Sequence, residues 1–122
     1  MKIEKPWGSY EVLVEQEDYV VKKLTLHPAK QFSLQKHEHR DEEWTILEGD
    51  GLLTLGPDVD SASQSFLNEK SRAMVPQGFV HRLLNINTNK NLEVLEIWWG
   101  GYGKTLSEED IIRYADDYGR KD

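Results

Sequence analysis

From Ser9 to Trp99 the chain is a succession of short apolar runs, each closed by a cluster of turn residues. Runs rich in Val, Leu, Ile, Thr and aromatic residues cover 9–14, 19–26, 32–35, 42–47, 52–55, 64–67, 72–75, 79–85 and 92–99. The punctuation between them includes EQED, Glu48-Gly49-Asp50-Gly51, GPDVDSAS, NEKS, PQG and NTNKN. Strands this short and this closely spaced predict a β-sandwich or a small barrel. The tail reads differently. Ser107-Glu108-Glu109-Asp110 has a capping serine followed by acids that favour a helix N-terminus. Ile111, Ile112, Tyr114 and Ala115 supply an apolar side, so the pattern predicts a short helix over about 108–115.

The length of 122 residues suits one domain, 1–122, with one modest core. No linker, low-complexity block or internal repeat interrupts it. The opening MKIEKPWGSY lacks the apolar core of a signal peptide. The most hydrophobic run, LEVLEIWW, is short and carries two glutamates, so it cannot span a bilayer. The expectation is a soluble, cytoplasmic protein with no membrane partner. The absence of cysteine rules out a disulfide scaffold and any thiolate metal site. A net charge of −7 argues against nucleic acid as a partner, while a local basic pocket for a small phosphate is compatible with it.

The densest chemistry lies in QKHEHRDEEW, residues 35–44. In an extended strand Ser33, Gln35, His37 and His39 share one face, with Phe32 and Leu34 on the other. By the same parity Glu42 goes with Trp44 and Ile46, and His81 with Leu83 and Asn85. Three imidazoles and a carboxylate can then meet inside one barrel, and these are good ligands for a borderline divalent metal. A lone His-x-His is more readily read as solvated surface. The second cluster, Pro76-x-Gly78-x-x-His81-x-x-x-Asn85, shifts that balance, because its turn aims the following strand.

His-x-His, then Glu, then a glycine-containing turn and a later PxGxxHxxxN resembles the two motifs of the cupin superfamily. More narrowly, PWGSYEVL, SLQKHEHRDEEW, VPQGFVHRLLN and EEDIIRYADDYGR, in that order, resemble the type II mannose-6-phosphate isomerase domain, the domain also found fused to GDP-mannose pyrophosphorylase. The resemblance covers nearly the whole chain. It implies an all-β fold, a single cupin barrel with a short C-terminal helix. It also implies one divalent metal ion (zinc, manganese, iron, nickel or cobalt) held by His37, His39, Glu42 and His81. A Gln-x-His pair is used in isomerases of this kind, so Gln35, His37, Glu42 and His81 form an alternative set. The chain departs from the family in three places. HPAKQ replaces a glycine-containing loop, Glu38 and Glu43 replace outer histidines, and Lys70 stands where the second motif begins with Gly.

Other residues have two readings each. Lys22 has the parity of Leu24 and Leu26, so it either snorkels to solvent or reaches the pocket as a proton carrier. Glu96 sits among apolar neighbours, where an unpaired carboxylate is costly. It is expected to pair with a cation or to face the pocket as a base. Arg40 flanks the ligand histidines and suits bidentate phosphate binding, or is a surface ion-pair partner. Arg82 is read as a surface ion-pair partner. Arg113 and Arg120, in the terminal motif, are candidates for holding a phosphate if the tail folds over the barrel mouth. The tryptophans are read as packing.

The resemblance implies a metal-dependent isomerase interconverting mannose 6-phosphate and fructose 6-phosphate. Catalytic candidates are Lys22, Glu96 and Arg40, and the partner is a small-molecule sugar phosphate. Two other classes stay open: a non-catalytic sugar- or sugar-nucleotide-binding cupin module, and a metal-dependent cupin oxygenase. A homodimer is expected, since small cupins often pair and exposed edge strands favour it.

Overall fold

Alternation decides the fold. In Tyr19–Leu26 every second side chain, Val20, Lys22, Leu24 and Leu26, is buried, and those between are only partly covered. Leu92–Trp99 repeats the pattern with Leu92, Val94, Glu96 and Trp98. In a computed structural model, which describes residues 1–100 and 106–119, these runs are two of eleven strands. In chain order they are β1 (Lys2–Lys5), β2 (Gly8–Glu15), β3 (Tyr19–Leu26), β4 (Leu34–Lys36), β5 (Asp41–Glu48) and β6 (Gly51–Gly56), followed by β7 (Ser63–Leu67), β8 (Arg72–Val75), β9 (Val80–Asn85), β10 (Leu92–Trp99) and β11 (Ile112–Ala115).

The strands form two sheets, in the orders β1-β2-β3-β10-β5-β8 and β11-β4-β9-β6-β7, with antiparallel pairing throughout. The inner faces enclose one core, which includes Trp7, Leu24, Leu26, Phe32, Trp44, Ile46, Leu53, Leu83, Leu92 and Val94. Trp7 and Phe32 meet edge to face at 5.1 Å, and Phe32 and Trp44 at 5.9 Å. Burial of each such side chain contributes about 1.5–3 kcal/mol. This apolar end of the barrel offsets the cost of the polar end described below.

Gly8 begins β2 with φ at +154°, and a Cβ there would collide with the Thr25 carbonyl oxygen across the hairpin. Only glycine lets β2 approach β3 at that point.

The predicted C-terminal helix is absent among the described residues. Ser107 does cap a turn: the Glu109 N–H donates to its Oγ at 3.0 Å, and the Asp110 N–H to its carbonyl at 3.2 Å. The chain then extends, and β11 pairs with β4, Ile112 opposite Lys36 and Arg113 opposite Gln35. A helix of about eight residues is marginal on its own, whereas the open edge of β4 supplies ladder bonds at once. With no helix in the described residues, none is long and apolar enough to cross a membrane.

Candidate functional site

Strand register stacks the inner face in rows. Leu24, Val94 and Ile46 are neighbours across β3, β10 and β5; the next row is Lys22, Glu96 and Trp44, and the one after it Val20, Trp98 and Glu42. On β9 the inward sequence is Asn85, Leu83, His81, and His81 lies opposite Gln35 of β4. One end of the barrel is therefore apolar, and the other gathers Lys22, Gln35, Glu42, His81 and Glu96.

His37, Glu42 and His81 come together there, each buried, with candidate ligand atoms all within 4.8 Å of one another. Their hydrogen bonds define the tautomers. His37 Nδ1 is 2.6 Å from the Asp110 carbonyl oxygen, and His81 Nδ1 is 3.1 Å from that of Phe79. A carbonyl only accepts, so both Nδ1 atoms carry the proton and both Nε2 atoms present lone pairs. These lone pairs converge on one carboxylate: His37 Nε2 is 3.3 Å from Glu42 Oε2, and His81 Nε2 is 3.8 Å from Glu42 Oε1. His81 Nε2 is buried without a hydrogen-bond partner. The His81 lone pair, facing a carboxylate oxygen, is unfavourable unless a cation stands between them; that of His37 is met by Arg40 Nη2 at 3.1 Å. Two Nε2 atoms oriented by carbonyls, plus a carboxylate, make a donor set suited to a divalent ion.

Arg40 supplies positive charge beside this cluster. Its Nε donates to Glu42 Oε2 at 2.8 Å, its Nη2 to His37 Nε2 at 3.1 Å and its Nη1 to the Ser107 carbonyl at 2.9 Å. Burial alone would raise the Glu42 pKa, but His37, Arg40 and His81 outweigh it and hold the carboxyl well below the usual range. Burial pushes His37 down to about 4 and lowers His81 as well, so both rings are neutral at pH 7. Glu96 moves the other way. Burial, and then the charge of Glu42, push it up to about 8 against the pull of Lys22 and Arg40. Its two oxygens accept indole N–H groups, from Trp44 at 3.0 Å and from Trp98 at 2.8 Å.

A cavity of about 110 Å³ adjoins the cluster. Gln35, His37, Arg40, Glu42, Lys22, Glu96 and Arg113 all line it, so most residues singled out from the sequence meet in one place. His39 does not. Beyond the end of β4 at Lys36 the alternation carries His37 inward but not His39, which is only half-buried. The Asp110 carboxylate then grips the N–H groups of Glu38 and His39 at 2.9 and 3.0 Å. His39 stands apart from the His37–Glu42–His81 group, and the buried side chain that follows is Arg40. The Arg82 Nε and Nη2 donate to the carbonyls of Phe32 and Ala115, both at 3.0 Å, tying β9 to its neighbours, and no ion pair joins it to another of the described residues. Arg120 lies outside the described residues.

Three participants escaped the sequence reading. Tyr10 and Trp98 line the cavity, and Trp98 carries both Lys22 Nζ, at 3.7 Å, and the Arg40 guanidinium, at 3.6 Å, over its ring. For Trp98 a signal existed, since it shares the inward parity of Glu96. Glu108 covers the cavity from the strap of residues 106–111, and nothing local in SEED marks that role.

Residues 1–116 match the family described as mannose-6-phosphate isomerase C-terminal. A mannose-1-phosphate guanylyltransferase of Klebsiella pneumoniae is 40% identical over 119 residues, which are 98% of this chain and 23% of that protein. The xanthan biosynthesis protein XanB of Xanthomonas campestris pv. campestris is 36% identical over 119 residues, 98% of this chain and 24% of that one. The chain thus spans about a quarter of the length of these curated relatives. The cupin domain of Schizosaccharomyces pombe Cnp3 superposes with a TM-score of 0.69 at 14% identity, covering 76% of this chain and 64% of that one, a likeness of fold. With its two antiparallel sheets in the cupin arrangement and a match running from residue 1 to 116, the chain belongs to the mannose-6-phosphate isomerase C-terminal family.

Proposed function

We propose that this cupin domain is a metal-dependent aldose–ketose isomerase acting on mannose 6-phosphate and fructose 6-phosphate. The observation that carries the reading is the convergence of two Nε2 lone pairs on the Glu42 carboxylate, next to a carboxyl that titrates near neutrality in the same cavity. In this reading His37, Glu42 and His81 are metal ligands, and Gln35, opposite His81, completes the set in place of His39. Bound there, a divalent ion supplies Lewis acidity toward the sugar oxygens on C1 and C2. Glu96 takes the proton from C2 and returns it to C1, and a pKa of about 8 suits a group that must both accept and give. The hydroxyl proton passes from O2 to O1, so the isomerisation balances without any co-reactant. Arg40 holds Glu42 ionised and in place. Arg113 lines the cavity and adds positive charge toward a phosphorylated ligand.

The same reading has the domain working in the cytoplasm on a small molecule, as a homodimer. Support for the dimer comes from the outer sheet face, where Val14, Val21 and Ile97 follow one another across β2, β3 and β10, and Met74 lies beyond Glu43 on β8.

A coupled assay on mannose 6-phosphate tests the function. The protein is stripped and reloaded separately with zinc, manganese, cobalt, nickel and iron, with His81→Ala as control. Turnover that requires metal and vanishes in the variant is expected. No turnover with any metal, from protein that still binds metal stoichiometrically, would overturn the isomerase reading in favour of a sugar-binding module.

A further inference from the structure

Lys22 is 3% exposed, and its ammonium lies 4.1 Å from the Tyr10 ring centroid and 3.7 Å from that of Trp98. A buried ammonium needs a counter-anion as well as aromatic faces. Its neighbour in the strand register is Glu96, whose two oxygens accept indole N–H groups from Trp44 and Trp98. Lys22 forms its ion pair with Glu108 of the strap instead. Tyr10 lines the same cavity as Glu108, and after burial the Glu108 charge raises the phenol's pKa. Glu108 thus reaches in from solvent, its own side chain 52% exposed, and lays its carboxylate on the Lys22 ammonium. Lys5 lines the same cavity, with its ammonium 5.9 Å from the Tyr10 ring, a second positive charge near the cradle.

The strap holding Glu108 belongs to no strand between residues 106 and 111. It is fixed instead by Asp110, on the N–H groups of Glu38 and His39, and by the Ser107 carbonyl on Arg40. The Glu108 side chain can therefore leave the cradle while the strap stays anchored on either side of it. A phosphate dianion offers the buried ammonium more charge than a single carboxylate does, so it can take the place of Glu108.

We propose that Lys22 and Tyr10 form the subsite for the phosphate group of the ligand, and that Glu108 is an internal stand-in which the phosphate displaces. The inference rests on the isomerase reading for the sugar alone; the phosphate subsite stands on Lys22, Tyr10 and Glu108. It also makes Lys22 an anion anchor rather than the proton carrier, and leaves proton transfer to Glu96.

Isothermal titration calorimetry on the full chain tests it with three probes: inorganic phosphate, mannose 6-phosphate and mannose. Glu108→Gln is expected to bind phosphate and mannose 6-phosphate about fivefold more tightly than the unaltered protein, with mannose unchanged. Lys22→Met, checked for folding by thermal melt, is expected to lose the preference for mannose 6-phosphate over mannose. Equal affinities for phosphate in Glu108→Gln and the parent would overturn the subsite, as would equal tightening toward mannose. So would an absence of phosphate binding in both. Because the readout is binding, a protein that fails to isomerise any sugar phosphate still gives an answer, and an active isomerase indifferent to Glu108→Gln refutes the subsite alone.

Discussion

His37 Nδ1 sits 2.6 Å from the main-chain carbonyl oxygen of Asp110, a residue 73 positions along the chain. That bond turns the Nε2 lone pair toward Glu42, and it makes the strap part of the candidate metal centre. The Asp110 carboxylate holds the carbonyl in place by gripping Glu38 and His39. Orienting groups behind a metal ligand typically matter 10–100-fold in affinity. Asp110→Ala is therefore expected to weaken zinc binding by roughly tenfold while leaving the stoichiometry unchanged. Competition against a chromophoric chelator reads both quantities, and an unaltered affinity would separate the strap from the centre.

Stability of the metal-free protein carries opposite signatures from two groups. His37 titrates near 4 in the fold against about 6.5 unfolded, so its contribution is present above 6.5 and is lost as pH falls toward 4. Glu96 titrates near 8 against about 4.3 unfolded, so its contribution is present at low pH and is lost as pH rises through 8. From about pH 6.5 to 8 the Glu96 effect stands alone of the two. Urea unfolding in the presence of a chelator should show stability falling with pH across that window, by up to about 1.4 kcal/mol per unit. The slope should be absent in Glu96→Gln. Equal slopes in the two proteins would place the Glu96 pKa elsewhere.

Ala29 and Lys70 are exposed and adopt φ of 63° and 69°, in the left-handed region that favours glycine. Ala29 lies in HPAKQ, and Lys70 stands at the head of the second motif, the two places where the resembled family carries glycine. Ala29→Gly and Lys70→Gly should each stabilise the fold by about 0.5–1 kcal/mol, the relieved strain less the added chain entropy. Denaturation midpoints decide this, and a loss of stability in both variants would show that neither residue is strained.

Asn85 is fully buried, with its amide nitrogen facing the carbonyls of Leu26, His27 and Lys90 at 3.1, 3.1 and 2.9 Å. Its oxygen accepts from the N–H and the side chain of Asn87 at 2.9 and 2.7 Å. Asn85→Ala removes all five of these hydrogen bonds and should cost about 3 kcal/mol. A change near zero in urea unfolding would mean that the loops re-form their bonds without it.

Legibility followed the range of the interactions. β3 and β10 could be read because their alternation is written into consecutive residues. β1 could not, since Lys2–Lys5 is mostly exposed and becomes a strand only by pairing with β2. The C-terminal segment was misread because SEED is a sound local cap, whereas the ladder partner of Ile112 and Arg113 lies far back in the chain, on β4. Parity brought Gln35 and His37 inward and failed at His39, where the main chain turns to meet the Asp110 carboxylate. Glu108 was invisible for the same reason: its partner, Lys22, is 86 residues away.

The most direct test of the metal centre is stoichiometric titration of the stripped protein with zinc, followed by calorimetry and metal analysis. Four proteins are compared: the unaltered chain, His81→Ala, Gln35→Ala and His39→Ala. The account predicts one ion per chain, lost in His81→Ala, weakened in Gln35→Ala and retained in His39→Ala. Loss of the ion in His39→Ala, with His81→Ala still binding, would contradict it.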